Sequence, residues 1–321
     1  MKLALAGETV LGGRAGERLA ARAPSALIAE EVVAIAREAD LLLLSLGCAI
    51  SGHGRPRSDA QAPFLFCAPP AAAEVLSYLG VDCVTLASKH MLDFGVDALL
   101  DTFRYLEAAG IPWVGAGADG AAAWSPLMLE RGGVSVGVVA VTDEPAQGAA
   151  GPHRPGVAFA DLVDGPPAEL LKIVGEISAD VVVVAPRWGP SFVTAPVPHV
   201  QRAAAAFREA GAGLVAGCSA HSVHGVGDGI LYSLGDFLRV AVTDPEASND
   251  LGLLFLVTVD EGRPTRLEAV PLALDHCHTR LADPVETAWS ARLFRSACAA
   301  LGTTVGLGGG RLVVEWDRGD G

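Results

Sequence analysis

Residues 82–95 read DCVTLASKHMLDFG, and the character of the chain changes twice within them. The β-branched, apolar run of Val84, Thr85 and Leu86 stops at Ser88-Lys89-His90. Asp93 and Gly95 follow, and an amphipathic segment then extends from Val96 to Ala108. This pattern predicts a buried strand, a polar turn at its carboxyl end, and a helix. In open α/β sheets chemistry collects at such ends, because strand and helix fix the backbone while the loop presents side chains. Taken alone, Lys89 and His90 do no more than end a strand. The same arrangement recurs along the chain.

Upstream, Lys2–Ala6 predicts a first strand ending at Gly7-Glu8, followed by a glycine-rich turn at Gly12, Gly13 and Arg14. The segment 26–39 (ALIAEEVVAIAREA) has helical spacing, with Ser25 as its expected N-cap. Leu41–Leu46 is continuously apolar, as a central parallel strand is. Periodicity vanishes from Cys48 to Pro63, which reads as a loop, and a helix from Pro70 leads into the strand at 82–86.

Downstream, GIPWVGAG (110–117) predicts a short strand. Residues 127–130 and 134–142 predict a hairpin, and 143–167 a connection over the surface. A helix over 167–177 precedes the strand Val181–Val184, which runs into Pro186-Arg187-Trp188-Gly189. A helix near 199–210 precedes the strand 213–216, which ends in Gly217-Cys218-Ser219-Ala220-His221, with His224 close behind. Beyond residue 250 the pattern predicts a hairpin (253–259 with 267–274), a helix over 285–301 and an edge strand at 312–316.

The 321 residues carry a net charge of −14, which argues against nucleic acid and anionic membrane as partners. The opening MKLALAGETVLGG is too short in its apolar run for a signal peptide or a membrane span. Six scattered cysteines without a close CxxC pair suit reduced thiols and a cytoplasmic setting. Cys67, Cys83 and Cys298 lie on apolar elements and are expected in the core. His276, Cys277 and His278 alternate in direction along a strand and are expected to be structural. Residues 115–120 lack the strand–GxGxxG–helix setting of a nucleotide site, so no nucleotide cofactor is expected.

Five strand ends thus present Glu8, Ser45, Ser88-Lys89-His90, Arg187 and Cys218 to His221. Together with GETVLGGR (7–14), LLSLG (43–47), LASKHMLDFG (86–95), GIPWVGAG (110–117), RWG (187–189), GAGLVAGCSAHSVHGV (211–226) and ILYSLGDF (230–237), they carry a resemblance. The chain resembles the CapA-type family of poly-γ-glutamate capsule biosynthesis proteins over residues 1–275. The resemblance implies an α/β, metallophosphoesterase-like sandwich of two sheets flanked by helices (αββα). Residues 276–321 are expected to complete the same domain with a helix and an edge strand.

The family pattern has Gly-Asp, Asn-Leu-Glu, Asn-Asn-His, His-Trp-Gly, Gly-His-His-Pro-His and Tyr-Ser-Leu-Gly-Asn-Phe, positions that hold two metal ions in the wider superfamily. Here they become Glu8, Ser45 and Gly47, Ser88 and Lys89 before His90, Arg187, Cys218 and Ser219 before His221, and Asp236. Too few ligands remain for an ordinary two-metal centre, and two cations have entered. Glu8, His90, Cys218 and His221 are chemically adequate for a single zinc-like ion. Without metal, His90, His221 or His224 would serve as acid or base, with Asp93 beside them. Lys89 and Arg187 would hold a small anion, in a pocket with Trp188, Ser45, Ser88 and Asp236.

The resemblance and the two cations point to a hydrolase or acyl-transfer enzyme on a small carboxylate- or amide-containing, glutamate-like substrate. The alternative is a binding or regulatory protein of the same family without catalysis. Glu8, His90, Arg187 and His221 are expected on neighbouring strand ends around one pocket. The sequence leaves the oligomeric state open.

Overall fold

A computed structural model describes residues 1–57, 64–238 and 250–316. Strands β1 (Lys2–Thr9), β2 (Leu41–Leu46), β3 (Cys83–Thr85) and β4 (Trp113–Val114) run parallel. The hairpin β5 (Leu127–Arg131) and β6 (Val134–Thr142) leads to β7 (Val181–Arg187) and β8 (Leu214–Ala216), both parallel to β6. Short strands β9 (Val226–Gly227), β10 (Ile230–Leu231) and β11 (Asp236–Leu238) follow. The long hairpin β12 (Leu251–Asp260) and β13 (Arg263–Asp275) comes next, then β14 (His278–Leu281), β15 (Gly306–Gly308) and β16 (Arg311–Glu315).

Among the described residues the larger sheet has the order β15-β16-β13-β12-β1-β2-β3-β4, with β14 beside β13 and β11 beside the end of β1. The smaller has the order β9-β10-β8-β7-β6-β5. The apolar runs are continuous because both faces of each strand are covered, and the period of two decides which layer each residue joins. Leu3, Leu5, Leu41 and Leu43 meet Val136, Val138, Val181 and Val183 between the sheets. Ala4, Ala6, Leu42 and Leu44 face the outer helices instead. On β7, Val182 and Val184 turn to the opposite outer layer.

Helices α1 (Glu30–Ala36), α2 (Ala72–Leu79) and α3 (Gly95–Ala108) cover the outer face of the larger sheet through Val32, Leu76 and Leu99. On the smaller sheet α4 (Ala168–Glu176) and α5 (Pro198–Glu209) do the same through Leu170, Val174 and Phe207. Helix α6 (Pro284–Ala299) packs Phe294 and Cys298 into the interlayer core. Its start is fixed by a capping box, in which Asp283 accepts from the Val285 and Glu286 amides while Glu286 accepts from the Asp283 amide. The result is an αββα sandwich, two sheets face to face with helices on both outer sides.

Four local expectations change. Ser25 is no N-cap: Pro24–Ala26 forms a 3₁₀ turn, and α1 begins only at Glu30. Leu27 and Ile28 between them are fully buried, with Ile28 bridged to Thr279 of β14, and that burial outweighs continuing the helix. The connection 143–167 does not stay on the surface. Gly156–Val157 pairs with Ala116–Gly117, and Ala158, Ala160 and Leu162 are buried. Strand β16 lies inside the sheet, and β15 takes the edge. In the segment 48–63, Ala49–Ile50 pairs with Cys67–Ala68, while residues 58–63 lie outside the described residues. No helix among the described residues is long and apolar enough to cross a membrane.

Candidate functional site

Parallel strands of both sheets end on the same side, and the expected residues gather there. Glu8 ends β1, level with Ser45 on β2 and Asp236 on β11. Arg187 ends β7, beside Thr142 of β6 and bridged to Cys218. The pocket is therefore assembled from two sheets facing each other rather than from neighbouring strands of one.

At its floor, Nε of Arg187 donates to Oε2 of Glu8 at 3.2 Å, and the Cys218 thiol donates to the same oxygen at 3.4 Å. Burial pushes the Glu8 carboxyl up, but the Arg187 guanidinium, aided by His221 and His90, outweighs it and brings the group down to about 2. Burial also lowers the Arg187 pKa, and Glu8 more than restores it, so both stay charged. Burial, reinforced by Glu8, raises the Cys218 thiol well above its usual range. Nη2 of Arg187 and Oε1 of Glu8 have no hydrogen-bond partner. A side chain at Gly47 would place its Cβ 2.2 Å from Oε1 of Glu8, so the glutamate occupies the room that any larger residue there would need.

Two histidines flank this pair. Nδ1 of His90 donates to Oδ2 of Asp93 at 2.7 Å, and that oxygen also accepts from the Phe66 amide at 2.9 Å. The Phe66 ring meets the imidazole edge-on at 5.1 Å. Nδ1 of His221 donates to Oδ1 of Asp236 at 2.9 Å, and the Phe192 ring stacks on that imidazole at 5.1 Å. Each carboxylate fixes a tautomer and leaves Nε2 for chemistry. Backbone strain collects here too, with positive φ at Phe192 (61°), Ser219 (128°) and His221 (59°).

The rim holds residues that strand-end reasoning passes over. Nζ of Lys89 sits 3.5 Å from both Oε2 of Glu144 and Oγ of Ser191. Asp143 follows β6 directly and accepts from the Gly189 amide at 2.7 Å; burial pushes its carboxyl up to about 6 against that bond's pull. The signal for Asp143 and Glu144 was present, since nine residues of strand end in Thr-Asp-Glu, whereas Ser191 and Phe192 lie in aperiodic sequence.

Several expected residues lie away from the rim. Ser45, Ser88, Arg187, Trp188 and Asp236 are all buried, so of the expected substrate contacts only Lys89 reaches the rim. Trp188 packs on Phe207 and donates to the Tyr232 carbonyl, because successive side chains at a strand end point opposite ways. His224 donates from Nε2 to the Val193 carbonyl at 2.9 Å and fastens the loop after β7 instead of joining the other two histidines. Ser45, Thr85, Arg187 and Cys218 line a cavity of about 20 Å³ between the sheets, room for roughly one water.

The donors do not fit a metal centre. Glu8 is neutralised by Arg187 and Cys218 keeps its proton, which leaves only Nε2 of His90 and of His221 from the expected set. Among the described residues no group of three or more His, Cys, Asp and Glu side chains is placed to hold an ion. Of the expected set, Glu8 and Cys218 are thus drawn into other bonds.

The family described as bacterial capsule synthesis protein PGA_cap matches residues 2–240. A probable polyglutamine synthesis accessory protein of Mycobacterium tuberculosis (strain ATCC 25618 / H37Rv) is 31% identical over 274 residues, 78% of this chain and 70% of that protein. The PGA biosynthesis protein CapA of Bacillus subtilis (strain 168) is 29% identical over 175 residues, 52% of this chain and 45% of that protein. Among solved structures, a 5'-nucleotidase of Candida albicans SC5314 is similar at 11% identity and a TM-score of 0.45, over 94% of this chain and 58% of that one.

Proposed function

Because the chain belongs to the bacterial capsule synthesis protein PGA_cap family, we propose that it is a metal-independent hydrolase or acyl-transfer enzyme for a small, glutamate-like substrate bearing carboxylate and amide groups. One observation carries this reading: two histidine–aspartate pairs, His90–Asp93 and His221–Asp236, flank the same buried Glu8–Arg187 pair. Both imidazoles lie close enough to help lower the Glu8 carboxyl, which supports placing them about one site. The names of the relatives, which refer to PGA biosynthesis and polyglutamine synthesis, support a substrate of amide-linked glutamate or glutamine units.

In this scheme one imidazole takes a proton from water, or from an acceptor amine, as it adds to the amide carbon. The other gives its proton to the leaving nitrogen as the C–N bond breaks. Glu8 and Arg187 do not touch the substrate; their opposed charges keep the floor of the site neutral overall while the imidazoles change charge above it. A cytoplasmic setting belongs to the same proposal, supported by six cysteines that form no disulfide, five of them buried.

The test is incubation of the purified chain with γ-glutamyl and glutaminyl oligomers, with and without a chelator, followed by mass spectrometry. Chelator-resistant cleavage or transfer, lost in His90→Gln and His221→Gln, is the expected result. Chelator-sensitive turnover overturns the metal-independent scheme. Binding without turnover reassigns the chain as a binding module.

A further inference from the structure

Lys89 is one of three lysines in the chain, and its bonds differ from those of the other two. Lys2 pairs with Glu268 at 3.2 Å across β1 and β13, and Lys172 with Glu176 one turn along α4. Lys89 instead stands at the rim between Glu144 and Ser191, 3.5 Å from each. Well-made charge-assisted bonds are shorter, about 2.7–2.9 Å, so the ammonium has room to draw a partner closer. The Glu144 side chain is 51% exposed, and an ion pair open to water holds weakly. Sequence neighbours tie this point to the two histidines: Lys89 precedes His90, and Ser191 precedes Phe192, whose ring stacks on His221.

We propose that Lys89 and Ser191 form a subsite for a carboxylate of the ligand, which Glu144 fills as an internal stand-in until the ligand displaces it. The inference rests on the substrate class assigned above. One ammonium and one hydroxyl match the single charge and two acceptors of a carboxylate; Glu144 meets the ammonium through Oε2, and the Ser191 oxygen accepts from the same ammonium. A phosphate dianion would meet the same two donors but also the neighbouring carboxylates of Asp143 and Glu144, which repel the larger charge. On displacement Glu144 swings into water, where it loses little, and the ligand gains a bond to each donor.

The experiment is calorimetry on the full chain with N-acetylglutamate, its diamide and inorganic phosphate. Glu144→Gln removes the competing charge at nearly constant shape and is expected to tighten N-acetylglutamate binding about twofold to fivefold, the worth of an exposed ion pair. Lys89→Met is expected to weaken it about tenfold or more. The diamide is expected to ignore Glu144→Gln. With only three lysines, amine acylation followed by mass spectrometry gives a second readout: N-acetylglutamate should shield Lys89 while Lys2 and Lys172 react as before. If N-acetylglutamate binds but Glu144→Gln leaves its affinity unchanged or weaker, the stand-in role is overturned and the substrate class survives. Lys89-dependent phosphate binding tighter than that of N-acetylglutamate overturns the carboxylate assignment. If N-acetylglutamate neither binds nor shields Lys89, the subsite and the substrate class both fall.

Discussion

Nε of Arg187 lies 3.2 Å from Oε2 of Glu8, with the two side chains 3% and 2% exposed. One residue ends a strand of the larger sheet and the other a strand of the smaller, so the ion pair also ties the layers together at the site. Removing either partner strands a buried charge. Glu8→Ala and Arg187→Ala are therefore each expected to cost about 3–5 kcal/mol in chemical denaturation. The double variant Glu8→Leu with Arg187→Met should recover most of that loss, because well-packed apolar residues commonly replace a buried pair with little change. If the double variant is as unstable as the singles, the pair is not the source of the loss.

Acid should weaken the same pair. The Glu8 carboxyl is held at about 2 in the fold against an ordinary 4.5. A depressed carboxyl contributes stability that is complete above pH 4.5 and is lost as pH falls from there through about 2. Urea unfolding across that window should show a slope that Glu8→Gln flattens.

Asp143 works in the opposite direction. Its carboxyl is raised from 3.8 to about 6, so the folded state binds the proton more tightly than the unfolded state does. Its ionisation costs stability as pH rises from about 4 to 6 and goes on doing so above. Asp143→Asn keeps an acceptor for the Gly189 amide and should raise stability at pH 7 relative to the parent, with the difference fading below pH 4. A parent and variant that differ equally at both ends of that range would contradict the assignment.

The imidazole tautomers can be read directly. Nitrogen-15 NMR of the neutral rings should find the proton on Nδ1 of both His90 and His221, facing Asp93 and Asp236. Asp93→Asn and Asp236→Asn offer an amide that can donate instead, which favours the other tautomer. Turnover of the substrate found for the parent should then fall by about 10²-fold to 10⁴-fold, the usual span for a lost proton carrier.

Gly47→Ala tests how closely Glu8 fills its space. The new methyl would lie 2.2 Å from Oε1, so the variant should lose about 1–3 kcal/mol, as overpacked cores do. Combined with Glu8→Asp, one methylene shorter, the same alanine should cost measurably less than it does beside Glu8. Additive losses in that cycle would mean that the two positions do not compete.

The layers of this fold were legible because Leu41–Leu44 and Val181–Val184 are apolar at every position, which only strands covered on both faces require. The strand ends likewise pointed to Glu8, His90, Arg187 and His221, which the structure brings near one another. What those residues do to each other was less legible. A cation beside a lost ligand could hold a substrate or pair with a carboxylate, and that choice depends on a contact spanning 179 residues. Trp188 and His224 belong to the same motifs as the site residues, yet alternation and a tight turn carry them behind it. Ser191 and Phe192 follow no periodicity, so only the closed loop places them at the rim.

Strand β1 changes partner along its length. Lys2 to Leu5 pair antiparallel with β12, whereas Glu8 and Thr9 pair parallel with β11. During synthesis residues 2–9 therefore wait for residues 236–258 before their second edge closes. At about 5–20 residues per second the delay is on the order of 10–50 s. For that time the nascent sheet can pair β1 with β2 but keeps one open, leucine-bearing edge, the kind that invites pairing with other chains. Glu8 cannot take its final place until that edge is closed, so the candidate site is among the last parts of the protein to form. Yield of soluble protein should accordingly depend on translation speed and on chaperones that shield open edges, more than the stability of the finished fold would suggest.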